Sequence, residues 1–362
     1  MKILLLAPGR SIHTHKWAMY YKERGYDVKV ASFEQHYSEE NAKEIDTISL
    51  KQSFPGKLSY FGCVPQIKKI LKEFKPDIFH AHYVSSYGLV GALCHYAPFY
   101  VSVWGRDIFT FPQQGKVNKA MATYTLKKAD VICSTSHVMA KETNKYTNKK
   151  VFVTPFGVDM SHFRPIEDVS KPEGFTVGTV KALSDKYGIA DLIKAFSIVS
   201  KKHPSQSMNL LIVGDGEQRN EYEELAKELS VDAQTTFTGR VHHTEVPQYI
   251  NKMDVFGVPS TEDSESFGVA AVESMACGVP VVVSDVGGLP EVVKDGETGY
   301  VVQKQSPEQL AEKIEFLMLN QDQARIMGQK GIEHVKNTYD WTLNAKGMTE
   351  LYRQTLNKGM KS

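Results

Sequence analysis

The chain has 362 residues, of which 41% are hydrophobic and 23% are charged, as is normal for a soluble globular protein. Its length predicts two domains of roughly 150 to 200 residues and excludes a single domain built on one hydrophobic core. The four cysteines lack the spacing of a metal site or a disulfide framework, so we expect reduced thiols in a cytoplasmic protein.

The net charge of +1 conceals two halves of opposite charge. Residues 1–160 carry 22 Lys and Arg against 13 Asp and Glu, a balance of +9. Residues 161–362 carry 21 against 29, a balance of −8. This division predicts two separately folded units, with the basic unit facing an anionic partner. Drift in surface composition explains the division equally well and remains open.

Short apolar runs alternate with helical patterns in the N-terminal half. The opening run, KILLLAP, is too short for a secretion signal or a membrane span and predicts a first β-strand. Several runs are apolar on both faces, as parallel strands covered by helices are. The segment FGCVPQIKKILKEFK has the periodicity of a helix packed on a sheet. The predicted strands are 2–8, 27–33, 77–83, 99–105, 130–136 and 151–157.

The same alternation starts again after residues 159–175, an aperiodic, proline-containing stretch that we interpret as a linker. The predicted strands of this half are 175–180, 209–216, 235–241, 254–260, 279–285 and 299–303. We therefore predict an α/β chain with doubly wound, Rossmann-like domains at 1–160 and 161–340. A terminal helix at 341–362 is expected to pack back on the first domain. The site is expected in a cleft between the domains, beyond the carboxyl ends of the strands.

The segment ESFGVAAVE places two glutamates eight positions apart. Gly268 predicts the start of a helix, with Glu265 in the loop before it and Glu273 on its second turn. The amides of Phe267, Gly268 and Val269 then point out of the helix N-terminus, where phosphate binds. A carboxylate beside that end suits sugar or ribose hydroxyls. From spacing alone, glutamates that only complement the helix dipole are an equal alternative.

This segment and its continuation, SMACGVPVVVSDVGGLPE, resemble the C-terminal signature of the family-4 retaining glycosyltransferases (glycosyl transferases group 1). The resemblance extends to IVGDGEQRNEYEELA, VTPFGVDMSHFRP, FTGRV and YDW, so it covers nearly the whole chain. It implies the GT-B fold, in which two Rossmann-like domains face each other across a cleft. It also implies that the C-terminal domain binds a nucleotide-sugar donor and the N-terminal domain an acceptor.

The resemblance implies a role for each matching residue of the donor site. Glu273 is expected to hold the ribose hydroxyls, and Glu265 is expected near the transferred sugar. Lys181 and Lys186 match a basic pair that stabilises negative charge on the leaving diphosphate. Lys181 stands where Arg is more frequent, which puts bidentate phosphate binding there in doubt. The predicted donor-binding residues are Gly9, Lys181, Lys186, Arg240, Glu265, Ser266, Phe267, Gly268, Val269 and Glu273.

One position departs from the family pattern. Many members carry a His at the end of the fourth strand, whereas this chain has Trp104, followed by Asp107. Trp cannot accept a proton, so the role of that His is lost or supplied elsewhere. His82, which shares a strand face with His80, is the predicted catalytic replacement, together with Glu265 and Lys186. A buried structural histidine is the alternative reading of His82. His13, Trp104 and Asp107 are predicted to lie on the acceptor side.

The resemblance therefore implies a retaining glycosyltransferase that moves a hexose-type sugar from a nucleoside diphosphate donor, most simply UDP-linked, to an acceptor hydroxyl. We expect no metal and no other cofactor. The basic half suits a lipid-linked saccharide acceptor at an anionic membrane surface, as in cell-surface polysaccharide synthesis. Soluble acceptors remain open, and nucleic acid is not an expected partner. The alternatives are a non-catalytic nucleotide-binding subunit, a sugar-nucleotide epimerase and a phosphorylase.

Overall fold

A computed structural model describes residues 1–53, 56 and 59–359 of the chain. The chain divides into two compact units. Unit 1 contains residues 1–156 and the C-terminal segment from Ala345, and unit 2 contains residues 157–344. The divisions differ from the predicted ones at 160 and 340 because Val158 forms a β-bridge with Asp340 inside unit 2.

The described strands of unit 1 form a parallel sheet in the order β3-β2-β1-β4-β5-β6-β7. The winding of the chain therefore reverses between β1 and β4. Residues 3–6 of β1 are fully buried, because helices cover both faces of the sheet. The elements are β1 (Lys2–Leu6), α1 (Ile12–Glu23), β2 (Asp27–Phe33), α2 (Glu39–Ala42), β3 (Asp46–Leu50), α3 (Ser59–Phe74), β4 (Ile78–His82), α4 (Ser86–Cys94), β5 (Phe99–Val103), α5 (Arg106–Phe109), α6 (Lys116–Lys128), β6 (Val131–Ser134), α7 (His137–Thr143) and β7 (Val151–Val153).

The strands of unit 2 form a second parallel sheet, in the order β10-β9-β8-β11-β12-β13. Its winding reverses between β8 and β11. The elements are β8 (Phe175–Val180), α8 (Ile189–Lys202), β9 (Met208–Val213), α9 (Arg219–Glu228), β10 (Thr235–Phe237), α10 (Val246–Ile250), β11 (Val255–Val258), α11 (Val269–Ala276), β12 (Val281–Ser284), α12 (Leu289–Val292), β13 (Gly299–Val302), α13 (Pro307–Leu319), α14 (Gln321–Thr338) and α15 (Trp341–Gly359), which continues into unit 1.

The C-terminal helix α15 is anchored inside unit 1 by Tyr352, which is fully buried. Its hydroxyl lies 3.2 Å from the hydroxyl of Tyr21 on α1 and 2.5 Å from Nδ1 of His80 on β4. Burial raises the pKa of both tyrosines far above the ordinary value, so their hydroxyls stay protonated. A three-residue polar contact thus fixes the helix to the sheet within a hydrophobic core.

The predicted α/β fold with two doubly wound units is confirmed. Every predicted strand run contains a strand, and the four cysteines are free and buried. The sequence prediction missed β3, an edge strand whose residues are mostly exposed or half-buried, because it lacks the apolar run of a central strand. Across the described ranges, none of the helices is both long enough and apolar enough to cross a bilayer.

Candidate functional site

Unit 2 brings Lys181 and Glu265 together at the carboxyl ends of its strands. Lys181 directly follows β8, and Glu265 lies in the loop between β11 and α11. The Nζ atom of Lys181 is 2.7 Å from Oε2 of Glu265, and each side chain is 11% exposed. The hydroxyl of Ser260 donates to the same carboxylate oxygen at 3.2 Å. The pair is therefore a nearly buried ion pair with an additional hydrogen bond.

The Glu265 carboxyl is held in its ionised form. Burial raises its pKa, but the charge and hydrogen bond of Lys181, followed by the charge of Lys186, bring the pKa below the ordinary value of 4.5. The ring of Tyr187 lies close to both cations, 4.7 Å from Nζ of Lys181 and 4.3 Å from Nζ of Lys186. The structure therefore places two cations beside one aromatic ring and one anion beside the first of these cations.

The loop that carries Glu265 packs against the two glycines of the GGLPE segment, residues 287–291. The N–H of Gly288 donates to the carbonyl of Glu265 at 2.8 Å. Gly287 has φ of +52°, and a Cβ atom there would lie 2.1 Å from the same carbonyl oxygen. No side chain fits that gap, so the two glycines allow one loop to pack directly against the other. The motif positions Glu265 through backbone contact.

Helix α11 starts at Val269, after Gly268 in the left-handed conformation with φ of +85°. Its first turn is the sequence VAAV, and Glu273 follows on the second turn. Ser266 and Phe267, immediately before the helix, are buried at 9% and 2% exposure. Several predicted donor-site residues therefore lie at one helix N-terminus, the end at which anions bind.

The carboxylate of Glu273 is 8% exposed and pairs with a residue that the sequence analysis did not single out. Its Oε1 atom lies 3.2 Å from Nε2 of His243, whose side chain is 47% exposed. The ring of Phe163 packs edge-on against His243, with centroids 5.4 Å apart. In the sequence, a short polar segment, VHHTE, follows the FTGR loop. Its two adjacent histidines are the feature from which His243 could have been proposed as a site residue.

The loops after β9 and β10 lie beside Lys181. The N–H of Gly214 donates to the carbonyl of Gly239 at 3.0 Å. A Cβ atom at Gly214 would lie 2.0 Å from the carbonyl oxygen of Lys181, so the GDG segment passes directly over that backbone. Arg240 follows Gly239 and is exposed. The FTGR loop is thus joined to the loop that carries Lys181.

In unit 1, His82 lies at the end of β4 and is 2% exposed. Its ring packs against Trp104 with centroids 4.1 Å apart and against His80 with centroids 5.1 Å apart. Burial, followed by the charges of His80 and His13, lowers its pKa well below 6.5, so the imidazole is neutral. Among the described residues, Nδ1 of His82 has no hydrogen-bond partner.

Trp104 joins the predicted acceptor-side residues into an aromatic cluster, which we define as His13, His82, Trp104 and Phe156. The rings of His13 and Phe156 are stacked with centroids 4.3 Å apart, and each meets Trp104 edge-on, at 5.9 Å and 5.1 Å. A cavity of about 10 Å³, large enough for roughly one water molecule, lies between His82, Trp104 and Phe156.

Asp107 holds the two loops that flank this cluster. Its carboxylate accepts hydrogen bonds from three backbone N–H groups, those of Val84 at 2.8 Å, Trp104 at 3.0 Å and Gly105 at 2.9 Å. Burial raises its pKa, and these hydrogen bonds partly oppose the rise. At 5% exposure the carboxylate is occupied by the protein's own backbone. This geometry indicates that Asp107 fixes the positions of these loops.

Gly9, the last predicted donor-site residue, is buried in the turn between β1 and α1 of unit 1. Its N–H donates to Oγ of Ser32 at 2.9 Å, and its carbonyl accepts from Nδ2 of Asn41 at 2.8 Å. These contacts join the first turn of the unit to β2 and α2. The structure therefore places Gly9 in unit 1 with His13, and Lys181, Glu265 and Glu273 in unit 2.

Two family models match the chain, and together they cover most of it. Residues 165–334 match the glycosyl transferases group 1, and residues 2–136 match the glycosyl transferase 4-like family. The chain belongs to the group 1 glycosyltransferases. The membership predicted from the motif around Glu265 is confirmed, and the two matched segments lie in different units of the fold.

Relatives of this glycosyltransferase are similar over different lengths. An uncharacterized glycosyltransferase of Methanocaldococcus jannaschii is 27% identical over 79% of this chain and 78% of its own length. The D-inositol 3-phosphate glycosyltransferase of Corynebacterium kroppenstedtii is 31% identical over 46% of this chain, but the match spans only 38% of that protein. The crystal structure of Anabaena HepE in complex with UDP has a TM-score of 0.83 and 19% identity, covering 98% of this chain and 100% of that one. The last similarity shows the fold.

Proposed function

We propose that this group 1 glycosyltransferase moves a hexose from a UDP-sugar to an acceptor hydroxyl and retains the anomeric configuration. The observation that carries this proposal is the cluster of Lys181, Lys186 and Glu265 beside the N-terminus of α11. The similarity to a fold that has been crystallised with UDP supports uracil as the nucleobase of the donor. The M. jannaschii relative, similar over most of both chains, supports the reaction class.

The chemistry of the proposed transfer follows from where charge develops. Breaking the bond between sugar and phosphate leaves negative charge on the diphosphate. We propose that Lys186 and the N-terminus of α11 stabilise this charge from the positions they already hold, and that Lys181 joins them when the donor displaces it from Glu265. We propose that these groups make a metal ion unnecessary. Lys181 is neutralised by Glu265 until the donor arrives, and the carboxylate is then available to the hydroxyls of the sugar.

We propose that Glu273 accepts hydrogen bonds from the ribose hydroxyls. Its carboxylate is nearly buried on the second turn of α11, and its Oε1 atom lies 3.2 Å from Nε2 of the half-exposed His243. Because His243 occupies the oxygen that a hydroxyl would use, it must release that oxygen when the nucleotide binds. Donor binding therefore exchanges a side-chain contact for two hydroxyl contacts.

We propose that unit 1 binds the acceptor and that His82 serves the acceptor hydroxyl. A neutral imidazole can accept a hydrogen bond from a hydroxyl and so orient it, whereas the lowered pKa makes complete transfer of the proton to the ring unfavourable. Because Trp104 covers its ring and leaves it 2% exposed, a hydroxyl reaches His82 only after Trp104 moves. The resemblance to the family implies front-face attack, in which the acceptor hydroxyl approaches the sugar from the side of the leaving phosphate. The leaving phosphate is therefore a base for the proton of that hydroxyl.

We further propose that the acceptor is a lipid-linked saccharide presented at the cytoplasmic face of an anionic membrane, in the synthesis of a cell-surface polysaccharide. The +9 charge balance of residues 1–160 supports this choice, because basic surfaces are attracted to anionic lipids. Sedimentation with phosphatidylglycerol vesicles at low salt, compared with phosphatidylcholine vesicles, tests the membrane contact. Equal sedimentation with both would contradict it.

The experiment that tests the proposed function measures the full chain against UDP-, GDP- and ADP-linked hexoses. We expect a UDP-hexose to raise the melting temperature most, and to release UDP faster when acceptor extract is added. A non-catalytic nucleotide-binding subunit would be stabilised without releasing UDP. An epimerase would convert the donor sugar without releasing UDP, and a phosphorylase would require inorganic phosphate.

A further inference from the structure

A cavity of about 510 Å³ opens in unit 1 beyond the carboxyl ends of β1, β2 and β4. The winding of the sheet reverses between β1 and β4, the place at which open α/β sheets bind ligands. The loops after all three strands contribute to its wall. We call it the Arg10 cavity, and the polar side chains that line it include those of Arg10, His36, Tyr83, Ser85, Ser86 and Tyr87.

The cation of this cavity is the exposed guanidinium of Arg10. Within the ranges that the structure describes, it has no carboxylate and no hydrogen-bond partner. Its backbone, by contrast, is fixed, because the N–H of Arg10 donates to the carbonyl of His36 at 2.8 Å. An unpaired guanidinium on an anchored backbone offers two parallel donors, the geometry that suits phosphate.

The part of the wall beside Arg10 is formed by His36 and Tyr87, which contact each other. The hydroxyl of Tyr87 lies 2.8 Å from Nδ1 of His36, and its ring is stacked on Phe33 with centroids 4.0 Å apart. Burial, followed by the charge of Arg10, lowers the pKa of His36, so its imidazole adds no second positive charge. Tyr87 is only 1% exposed and its hydroxyl also accepts the N–H of Phe33, so the hydroxyls open to a ligand are those of the half-buried Ser85 and Ser86. The cavity thus combines one cation with two serine hydroxyls, which suits a ligand with one anionic group and several hydroxyls.

Tyr83 connects the Arg10 cavity to the aromatic cluster. It has φ of +73°, a conformation that costs energy for a side-chain residue and that is concentrated at functional sites. Its N–H donates to the carbonyl of Ser102 at 2.8 Å, and its carbonyl accepts the N–H of Gly88 at 2.9 Å. Its ring meets Trp104 edge-on at 5.2 Å. A ligand in the cavity therefore lies one aromatic ring away from Trp104.

We propose that the Arg10 cavity binds a phosphorylated acceptor, a saccharide or polyol whose phosphate pairs with the Arg10 guanidinium and whose hydroxyls face Ser85 and Ser86. The inference rests on the proposed function, because it names the acceptor class of that transfer. The same chemistry is presented by a free sugar phosphate and by the head group of a phosphorylated lipid. Binding of the ligand is a property of unit 1 residues alone and does not require turnover.

The binding test uses the full chain, calorimetry, and D-glucose 6-phosphate and D-glucose as matched probes without donor. We expect the phosphate ester to bind and glucose to bind at least tenfold more weakly. Arg10→Gln should weaken binding of the ester about 10- to 100-fold, Arg10→Lys should weaken it less, and the exposed control Lys119→Gln should leave it unchanged. If Arg10→Gln binds the ester as tightly as the wild type, the inference is overturned.

Two further measurements are needed. One distinguishes a lipid head group from a soluble phosphate ester as the ligand, and the other distinguishes failure of the cavity proposal from failure of the proposed transfer. Arg10-dependent sedimentation with phosphatidylinositol 4-phosphate vesicles would assign the cavity to a lipid head group, and Arg10-dependent binding of glucose 6-phosphate alone to a soluble acceptor. Arg10-dependent ester binding without turnover of any UDP-hexose would support the cavity and contradict the proposed transfer. If Arg10→Gln raised only the KM for the UDP-hexose, Arg10 would belong to the donor site and the inference would be wrong.

Discussion

The ammonium group of Lys181 lies 2.7 Å from the carboxylate of Glu265, and both side chains are 11% exposed. The two residues are 84 positions apart in the sequence, so their contact depends on the packing of the β8 end against the loop before α11. In the absence of donor, the pair keeps each charge compensated. In the proposed reaction, Lys181 stabilises the charge of the diphosphate and Glu265 binds the hydroxyls of the sugar.

Replacing Lys181 by Gln should destabilise the protein and weaken the proposed reaction. The substitution leaves the Glu265 carboxylate nearly buried without its cation, at a cost of about 3 kcal/mol in the free energy of unfolding. Urea denaturation measures this cost, and Lys201→Gln on the exposed face of α8 is the matched control. Equal stability of Lys181→Gln and the control would show that the pair is not a stabilising contact.

The Glu265 pair should also give the stability a defined pH dependence. The pKa of Glu265 is lower in the folded protein than its ordinary value of 4.5, so the unfolded chain binds its proton first as the pH falls. The stabilisation is therefore complete above pH 4.5 and is lost as the pH falls from there through the lowered pKa. Denaturation of wild type and Glu265→Gln across pH 6 to 3 measures it, and a constant difference between the two would contradict it.

Two buried histidines predict a second pH dependence, at higher pH. Burial lowers the pKa of His80 to about 3 and that of His82 well below 6.5. The unfolded chain protonates them near pH 6.5 and the folded protein does not, so stability falls as the pH drops below that value. The slope approaches about 1.4 kcal/mol per pH unit for each histidine. His80→Gln, which keeps hydrogen-bonding groups, should show a shallower slope between pH 6.5 and 5; an identical slope would contradict the burial of an uncharged ring.

Glu273→Ala should raise the donor KM and weaken UDP binding. Two charge-assisted hydrogen bonds to the ribose are lost, which corresponds to about 2–4 kcal/mol of binding free energy. Calorimetry with UDP measures the loss, and Glu228→Ala on the exposed face of α9 is the control. Unchanged UDP affinity in Glu273→Ala would remove the ribose assignment.

His82→Ala should reduce transfer while leaving UDP affinity unchanged, because His82 lies in unit 1 and the proposed nucleotide contacts lie in unit 2. The ring also packs against Trp104, so circular dichroism and the melting temperature must be compared with the wild type before the rates are interpreted. A folded His82→Ala protein with full transfer activity would assign this histidine to structure alone.

The sequence predicted most of the fold because central parallel strands are continuous apolar runs. It missed β3, since an edge strand such as DTISL has no such run. The glutamate pair was predictable because Glu265 and Glu273 lie within one contiguous motif, and a resemblance attached roles to them. The contact between His243 and Glu273 and the Arg10 cavity were not predictable, because each joins segments far apart in the chain. Asp107 was predicted to lie on the acceptor side, and only the folded backbone shows the three N–H groups that its carboxylate binds.

The most direct test of the central claim is the rate of UDP release from a UDP-hexose, in the presence of acceptor, by wild type and Lys186→Gln. If Lys186 stabilises charge on the leaving diphosphate, kcat should fall about 100- to 1,000-fold, and EDTA should leave the wild-type rate unchanged. A Lys186→Gln protein with wild-type kcat, or a wild-type rate that disappears with EDTA and returns with a divalent metal, would contradict the account.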